Sequence, residues 1–315
     1  MRAKEALTYV NERGDILVFS VDSEYHVNFK NVSGLSDIRN QIYSINSMGQ
    51  DGDTYLGNRI EARDIEIIGH IKEQNKERTR RLRRRMNNIL NPQFTAVLIY
   101  DFMDDAGNIL YRRVIDCTIN NAPVFIRAPI IERFTMQLSC LQPFWREERE
   151  LRQDIATWIG GFEFPYRDPN DQPDGLEIAI DPENPTIPTW EIGWREPSLI
   201  VNVFNGGDVR AGMRIDFRAL GMLLNPILLD VNTGNFIKIN MRMLAGDVIT
   251  VRTGFGEKGV TLRRQGEETD AFRFLDIDST YLQLAPGDNI FHYDADENME
   301  NLDITIWHNN LFSGV

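Results

Sequence analysis

The residues of this chain best suited to chemistry are carboxylates lying close together in sequence. Asp168, Asn170, Asp171 and Asp174 have the density of oxygen ligands that a calcium loop presents. A working loop needs more than oxygens, however. Its sixth position here is Pro173 rather than the glycine that makes the sharp turn, and its twelfth is Ala179 rather than a bidentate glutamate. The run reads as linker, and Asp294, Asp296, Glu297 and Asn298 read as a solvated hairpin tip. His26, His70, His292 and His308 lack the spacing of metal ligands, and no Gly-x-Ser-x-Gly nucleophile turn accompanies them. Cys117 and Cys140 each sit in a strand-like run, as small buried hydrophobes do, so reduced thiols are expected rather than a disulfide framework or a metal knuckle. No Gly-x-Gly-x-x-Gly or Gly-Lys-Ser/Thr cradle for phosphates is present. Paired carboxylates of the glycosidase kind assemble in space rather than in sequence, and nothing here selects a pair. The expectation is a non-enzymatic protein with no catalytic residue, no metal and no cofactor.

Charge offers a second kind of chemistry. Lys76, Arg78, Arg80, Arg81, Arg83, Arg84 and Arg85 against Glu77 give one short segment a net +6, which leaves −19 for the rest of a chain of formal charge −13. The segment reads as a helix: Asn75 caps it, Glu77 occupies the first turn, Leu82, Met86, Ile89 and Leu90 recur at helical spacing, and Asn91-Pro92 ends it. Arg78 and Arg85 flank the apolar stripe, Arg81 and Arg83 lie to either side, and Arg80 and Arg84 point away. Such segregation suits nucleic acid or an acidic protein surface. The protein surface is preferred, because no second basic patch and no helix-turn-helix partner accompanies the helix. The competing reading is a solvated face whose long arginine stems cover apolar surface.

The helix must be held by something, and the flanking sequence says what. In the run ending at Ile71, residues Ile65, Ile67, Gly69 and Ile71 share one face and Asp64, Glu66 and His70 the other, the alternation of a half-buried strand. Further strand-like runs cover Ile16 to Ser20, Tyr25 to Phe29, Gln41 to Ile45, Phe94 to Asp101, Leu110 to Ile119 and Glu132 to Leu141, with turn residues between them. Ser47 to Asn58, rich in glycine and aspartate, reads as a mobile hairpin arm. Residues 1–150 form the first domain. Residues 151–197, rich in Pro, Asp and Asn, read as linker and loop. Residues 198–315 read as nine or so short strands, FRFLDI among them, in an antiparallel sandwich. At 315 residues the chain is long enough for two cores. Met1 to Tyr9 lacks the apolar centre of a signal peptide, and no run approaches the roughly 20 apolar residues of a membrane span, so no membrane partner is expected.

The order of these features resembles the distal tail protein family of long-tailed phages, the siphophage component called Dit. The N-terminal half carries the resemblance through Gly57-Asn58-Arg59-Ile60, the arginine-rich helix ending Leu90-Asn91-Pro92, and the close Leu141-Gln142-Pro143-Phe144-Trp145. The C-terminal half matches more strongly. It shows Phe204-Asn205-Gly206-Gly207-Asp208, Asn225-Pro226, Thr233-Gly234, Ala245-Gly246-Asp247-Val248-Ile249, Leu284-Ala285-Pro286-Gly287-Asp288-Asn289 and the strand Ile304-Thr305-Ile306-Trp307. The resemblance implies a mainly β fold: an N-terminal β domain with one helix and an extended hairpin arm, then a galectin-like antiparallel β-sandwich. It also implies a hexameric ring at the tail tip, closed by N-terminal domains between the tail tube protein and the tail-tip hub, with C-terminal domains facing outward to anchor receptor-binding proteins. The location would be the virion tail tip, after synthesis in the bacterial host cytoplasm, and DNA would pass the lumen without specific binding.

A ring of head-to-tail contacts needs two complementary patches per subunit. Arg78, Arg80, Arg81, Arg84 and Arg85 offer one, and the arm residues Asp51, Asp53 and Tyr55 offer the other by reaching a neighbouring sheet edge. The helix arginines are expected to stay off the channel wall, where they would hold DNA. The alternative function is a carbohydrate-binding module that contacts cell-wall glycans through the sandwich. Its candidate contacts are Trp190 and Trp194, while Trp307 reads as core or sheet packing.

Overall fold

The computed structural model describes residues 4–49, 51–73, 75–127, 131–155, 158–164, 190–195 and 200–315. Two compact units emerge. The first comprises residues 1–150, 206–210 and 309–315, and the second residues 151–205 and 211–308.

In the first unit, alternation along the strands builds a barrel. Its strands are β1 (Lys4–Asn11), β2 (Ile16–Ser20), β3 (Tyr25–Ser33), β4 (Asn40–Ile45), β5 (Thr54–Ile60), β6 (Arg63–Ile71), β7 (Ala96–Met103), β8 (Ile109–Arg127), β9 (Glu132–Cys140) and β10 (Trp145–Arg146), with α1 (Lys76–Ile89) after β6. The sheet runs β10-β8-β7-β1-β2-β3-β6-β9, and β9 returns to β8, which closes it. β8 manages this through its length: residues 109–117 pair with β7 and residues 118–127 with β9. The short β2–β3 pairing is parallel, joining Phe19 to Tyr25 and Ser20 to His26. Ile65, Ile67 and Ile71 face inward with Leu7, Tyr9, Phe19, Val27 and Phe134, and each fully buried side chain of this size contributes about 1.5–3 kcal/mol. Leu82, Met86, Ile89 and Leu90 of the helix join the same core. The C-terminal strand Leu311–Phe312 adds to the sheet edge at β10.

One polar side chain ties these parts together. Arg63 is only 4% exposed, and its guanidinium donates to the carbonyls of Pro143, Gly34, Leu35 and Ser313. Burial pulls its pKa below the usual guanidinium value. Trp145, wholly buried, donates its indole N–H to the same Leu35 carbonyl. The close approach requires glycine at position 34, where φ is +86° and a Cβ would fall 2.0 Å from the Asp64 carbonyl oxygen.

The second unit is all β apart from two 3₁₀ turns among its described residues. Its strands are β11 (Leu151–Asp154), β12 (Trp158–Phe164), β13 (Trp190–Arg195), β14 (Ile200–Asn205), β15 (Met213–Ala219), β16 (Leu223–Asp230), β17 (Phe236–Lys238), β18 (Arg242–Met243), β19 (Val248–Arg252), β20 (Gly259–Arg264), β21 (Glu267–Asp270), β22 (Gly287–Glu297) and β23 (Leu302–His308). One sheet runs β11-β23-β15-β19-β20-β21 and the other β14-β22-β16-β17, while β12 and β13 pair with each other. Inward-facing Phe217, Ile249, Ile304 and Ile306 of the first sheet, with Leu228, Phe291 and Tyr293 of the second, are buried.

A local expectation is corrected. FRFLDI is not a strand: Phe272–Phe274 is a 3₁₀ turn, because Asp270 accepts the Phe272 N–H and starts a turn there. Of the two places expected for Trp307, the sheet holds and the core does not: it lies on the face opposite Ile304 and Ile306, as strand alternation requires, packed between the guanidinium groups of Arg152 and Arg214.

Candidate assembly surfaces

The basic helix is built as its sequence predicts. The Asn75 side chain accepts from the N–H groups of Glu77 and Arg78, satisfying two donors that the first turn leaves free. The apolar stripe packs into the barrel core, and the Tyr25 hydroxyl donates to the Leu82 carbonyl at 3.0 Å. Burial pushes that phenol up to about 12, against the lowering pull of Arg85.

Most of the helix charge is answered within the unit. Arg78 pairs with Glu24 at 3.0 Å and Glu73 at 3.1 Å, Arg81 with Glu77 at 2.6 Å, and Arg83 with Glu132 at 3.1 Å. Arg85 lies 3.9 Å from Glu24 and donates to the Ile16 carbonyl. Arg83 also stacks over Phe125, 5.2 Å from the ring centroid. Exposed pairs of this kind are worth about 0–1 kcal/mol each, so they orient the guanidinium groups more than they stabilise the fold. Arg80 and Arg84 remain exposed, with no ionic partner among the described residues.

The arm is a two-stranded sheet of β4 and β5, with a bulge between Tyr43 and Ser44. Every β4 residue is exposed, and Ile42, Ile45, Met48, Tyr55 and Leu56 present apolar surface to solvent. The polar pairings are local: Tyr55 Oη donates to Asn58 Oδ1 at 2.7 Å, and Ser44 Oγ to Asp53 at 3.1 Å. A two-stranded ribbon without a packed face is marginal in water, so this arm calls for a partner that covers it.

Asp168, Asn170, Asp171 and Asp174 fall outside the described residues. Trp190 begins β13 and Trp194 lies within it, but the description stops at their backbone. Asp296 accepts from Asn225 Nδ2 and from Lys238 Nζ, so its charge is answered by an ammonium group. No group of three potential metal ligands occurs among the described residues. The His26 and His70 rings meet across β3 and β6, with centroids 4.4 Å apart and planes tilted by 40°. Burial, then His26, Arg133 and Lys72, lowers the His70 pKa and favours the neutral ring. Cys117 and Cys140 are free and buried, and burial pushes the Cys140 thiol up to about 12, which leaves it unreactive.

The sequence pattern did not reveal the distant acidic partners of the helix, Glu24 and Glu132, which come from separate segments of chain. It also missed Arg63, although the alternation that buries Ile65, Ile67 and Ile71 places residue 63 on the same face.

Comparison with known proteins agrees in both halves. Residues 18–128 match the phage tail protein RIFT-related domain, and residues 206–310 match the C-terminal domain of siphovirus-type tail components, together more than half of the chain. The crystal structure of SPP1 Dit (gp 19.1) is described as a paradigm of the hub adsorption apparatus in phages infecting Gram-positive bacteria. It superposes with a TM-score of 0.61 at 16% identity, over 97% of this chain and 99% of that one, and so shares the fold. The phage P2 baseplate in its activated conformation with Ca gives a TM-score of 0.48 at 11% identity, over 98% of each chain. No curated protein matches this chain in sequence.

Proposed function

We propose, on the premise that this chain belongs to the siphophage distal tail protein family, that it forms a hexameric ring joining the tail tube to the tail tip. Members of the family are structural tail components and not enzymes. In the proposed ring the first unit makes the subunit contacts. The observation that carries this reading is a pair of uncovered surfaces on different elements of that unit: the exposed apolar arm and the helix face left charged at Arg80 and Arg84. Surfaces that differ from each other give head-to-tail contacts, which close into a ring when the rotation fits.

The partners proposed are other copies of the chain, the tube protein on one side, the hub protein on the other, and receptor-binding proteins anchored through the sandwich. DNA would pass the lumen unbound. A formal charge of −13 supports transit without retention, since acidic walls repel phosphate. The site of action would be the virion tail tip, following synthesis in the host cytoplasm.

Immunogold labelling of intact particles with antibody to this chain tests the placement. Label confined to the tail end away from the capsid is expected; label along the tube, or none on particles, would overturn it. For the lumen, purified protein is expected to show no retention of duplex DNA at about 0.15 M salt, where screening is short-ranged. Affinity that falls steeply as salt rises would mark the helix as a phosphate binder instead.

A further inference from the structure

We propose that the arm tip of one copy docks on the outer face of α1 of the next copy, with Asp51 and Asp53 pairing with Arg80 and Arg84. This rests on the ring reading above and names the two surfaces that meet.

Charge and position together point to these four residues. On the helix, Arg78, Arg81, Arg83 and Arg85 have glutamate partners within the unit, which leaves Lys76, Arg80 and Arg84 exposed without an ion pair among the described residues, and of these Arg80 and Arg84 share the outward face. From residue 40 to residue 60 the arm contains two carboxylates, Asp51 and Asp53, at its tip and one cation, Arg59, at its base. Asp53 receives only the Ser44 hydroxyl, and neither aspartate has a cationic partner among the described residues.

Spacing agrees with charge. Arg80 and Arg84 are four apart on a helix, which sets their Cβ atoms about 5–6 Å from each other. Asp51 and Asp53 flank Gly52, whose φ of +80° sets them together in the bend at the arm tip. Two carboxylates gathered at a turn thus face two guanidinium groups on one helix face, and arginine is the cation that favours carboxylate partners.

Apolar surface agrees as well. Behind the acidic tip lie the uncovered Ile42, Ile45, Tyr55 and Leu56. Beside the helix, β8 carries Phe125 under Arg83 and exposes its neighbours Val124 and Ile126, at 60% and 59%. Apolar flanks can thus cover each other while the charges set register, the usual division between affinity and specificity at an interface. Reach is also sufficient. The six residues of β4 carry the tip about 20 Å from the strand base, a span suited to contact with another subunit.

Charge reversal in the full-length chain tests the pairing. Asp51→Arg with Asp53→Arg, or Arg80→Asp with Arg84→Asp, is expected to raise the concentration needed for assembly at least about tenfold, as read by light scattering. Combining all four reversals is expected to return it to within a few-fold of the native value. The altered residues are exposed, so below the assembly concentration the thermal midpoint of each variant should match that of the unassembled native chain. Native rings that are indifferent to either reversal would overturn this contact while leaving the ring standing. A native chain that never assembles would overturn the ring reading and the contact with it. Independently, the Asp53→Cys, Arg84→Cys double variant treated with oxidised glutathione is expected to give covalent links between copies. Assembled rings without such links would also refute the pairing.

Discussion

Replacing Arg63 with methionine is expected to destabilise the first unit by about 3 kcal/mol, since a buried carbonyl left without its donor costs about 1–3 kcal/mol. Arg63 serves the carbonyls of Gly34, Leu35, Pro143 and Ser313, and methionine keeps the length of the stem while supplying none of them. Leu35 keeps its bond from Trp145, and part of the tail near Ser313 can turn to water, which holds the loss near one full penalty per wholly deprived carbonyl. For a unit of this size the thermal midpoint should fall by about 6–12 °C. Hydrogen exchange should quicken along β6 and at Trp145 before it does so in the sandwich. Lysine would recover little, because an ammonium group cannot span carbonyls on opposite sides of a planar fork. A methionine variant within about 1 kcal/mol of native would show that the carbonyls find other donors, and that the guanidinium is not what gathers these segments.

The second large effect is expected in the sandwich. Asp247 is almost fully buried, and it accepts from Arg264 Nε at 2.8 Å, from Arg264 Nη2 and from the Leu244 N–H at 2.8 Å. Burial alone would push its carboxyl up, but the two Arg264 bonds, the Leu244 bond and the Arg264 charge hold it below the ordinary 3.8. Asp247→Ala should cost about 2 kcal/mol, less than a fully buried pair would, because Arg264 is partly exposed and can turn to water. The pH dependence follows from the direction of the shift. A carboxyl whose folded pKa lies below its unfolded one contributes its stabilisation in full above the unfolded value, about 3.9, and loses it as pH falls through the folded value. Native protein and Asp247→Ala should therefore differ most at neutral pH and converge as acid is added. Urea midpoints of both chains at several pH values between neutrality and about pH 3 would check this; a gap that widens in acid would contradict it.

How much of this was legible in the sequence depends on the range of the interaction. Asn75 as cap, Leu82, Met86 and Ile89 as the buried stripe, and Ile65, Ile67 and Ile71 as one strand face are local or periodic signals, and each was read correctly. The outward direction of Arg80 and Arg84 follows from the same winding. The distant partners were not legible, because Glu24 and Glu132 are brought to the helix by barrel closure, whereas Glu73 and Glu77 lie within five residues of Arg78 and Arg81. The alternation of Ile65, Ile67 and Ile71 extends to Arg63 and signalled its burial, but its acceptors were hidden, since they lie 29, 28, 80 and 250 residues away. Pairing of β11 with β23 is another product of long-range closure, as Leu151–Asp154 alone shows charge and no apolar face. The arm was legible from its glycines and aspartates, although Thr54–Ile60 is a regular strand and not loop.

The central claim is assembly, and the most direct measurement is the mass of the native chain in solution by light scattering across a concentration series. Negative-stain images of the same fractions complete it. The account predicts a discrete species of about six times the 36.4 kDa subunit, seen as rings with an open centre, that loosens as salt rises. A monomer at every concentration, or an open-ended series of sizes without closed rings, would contradict it.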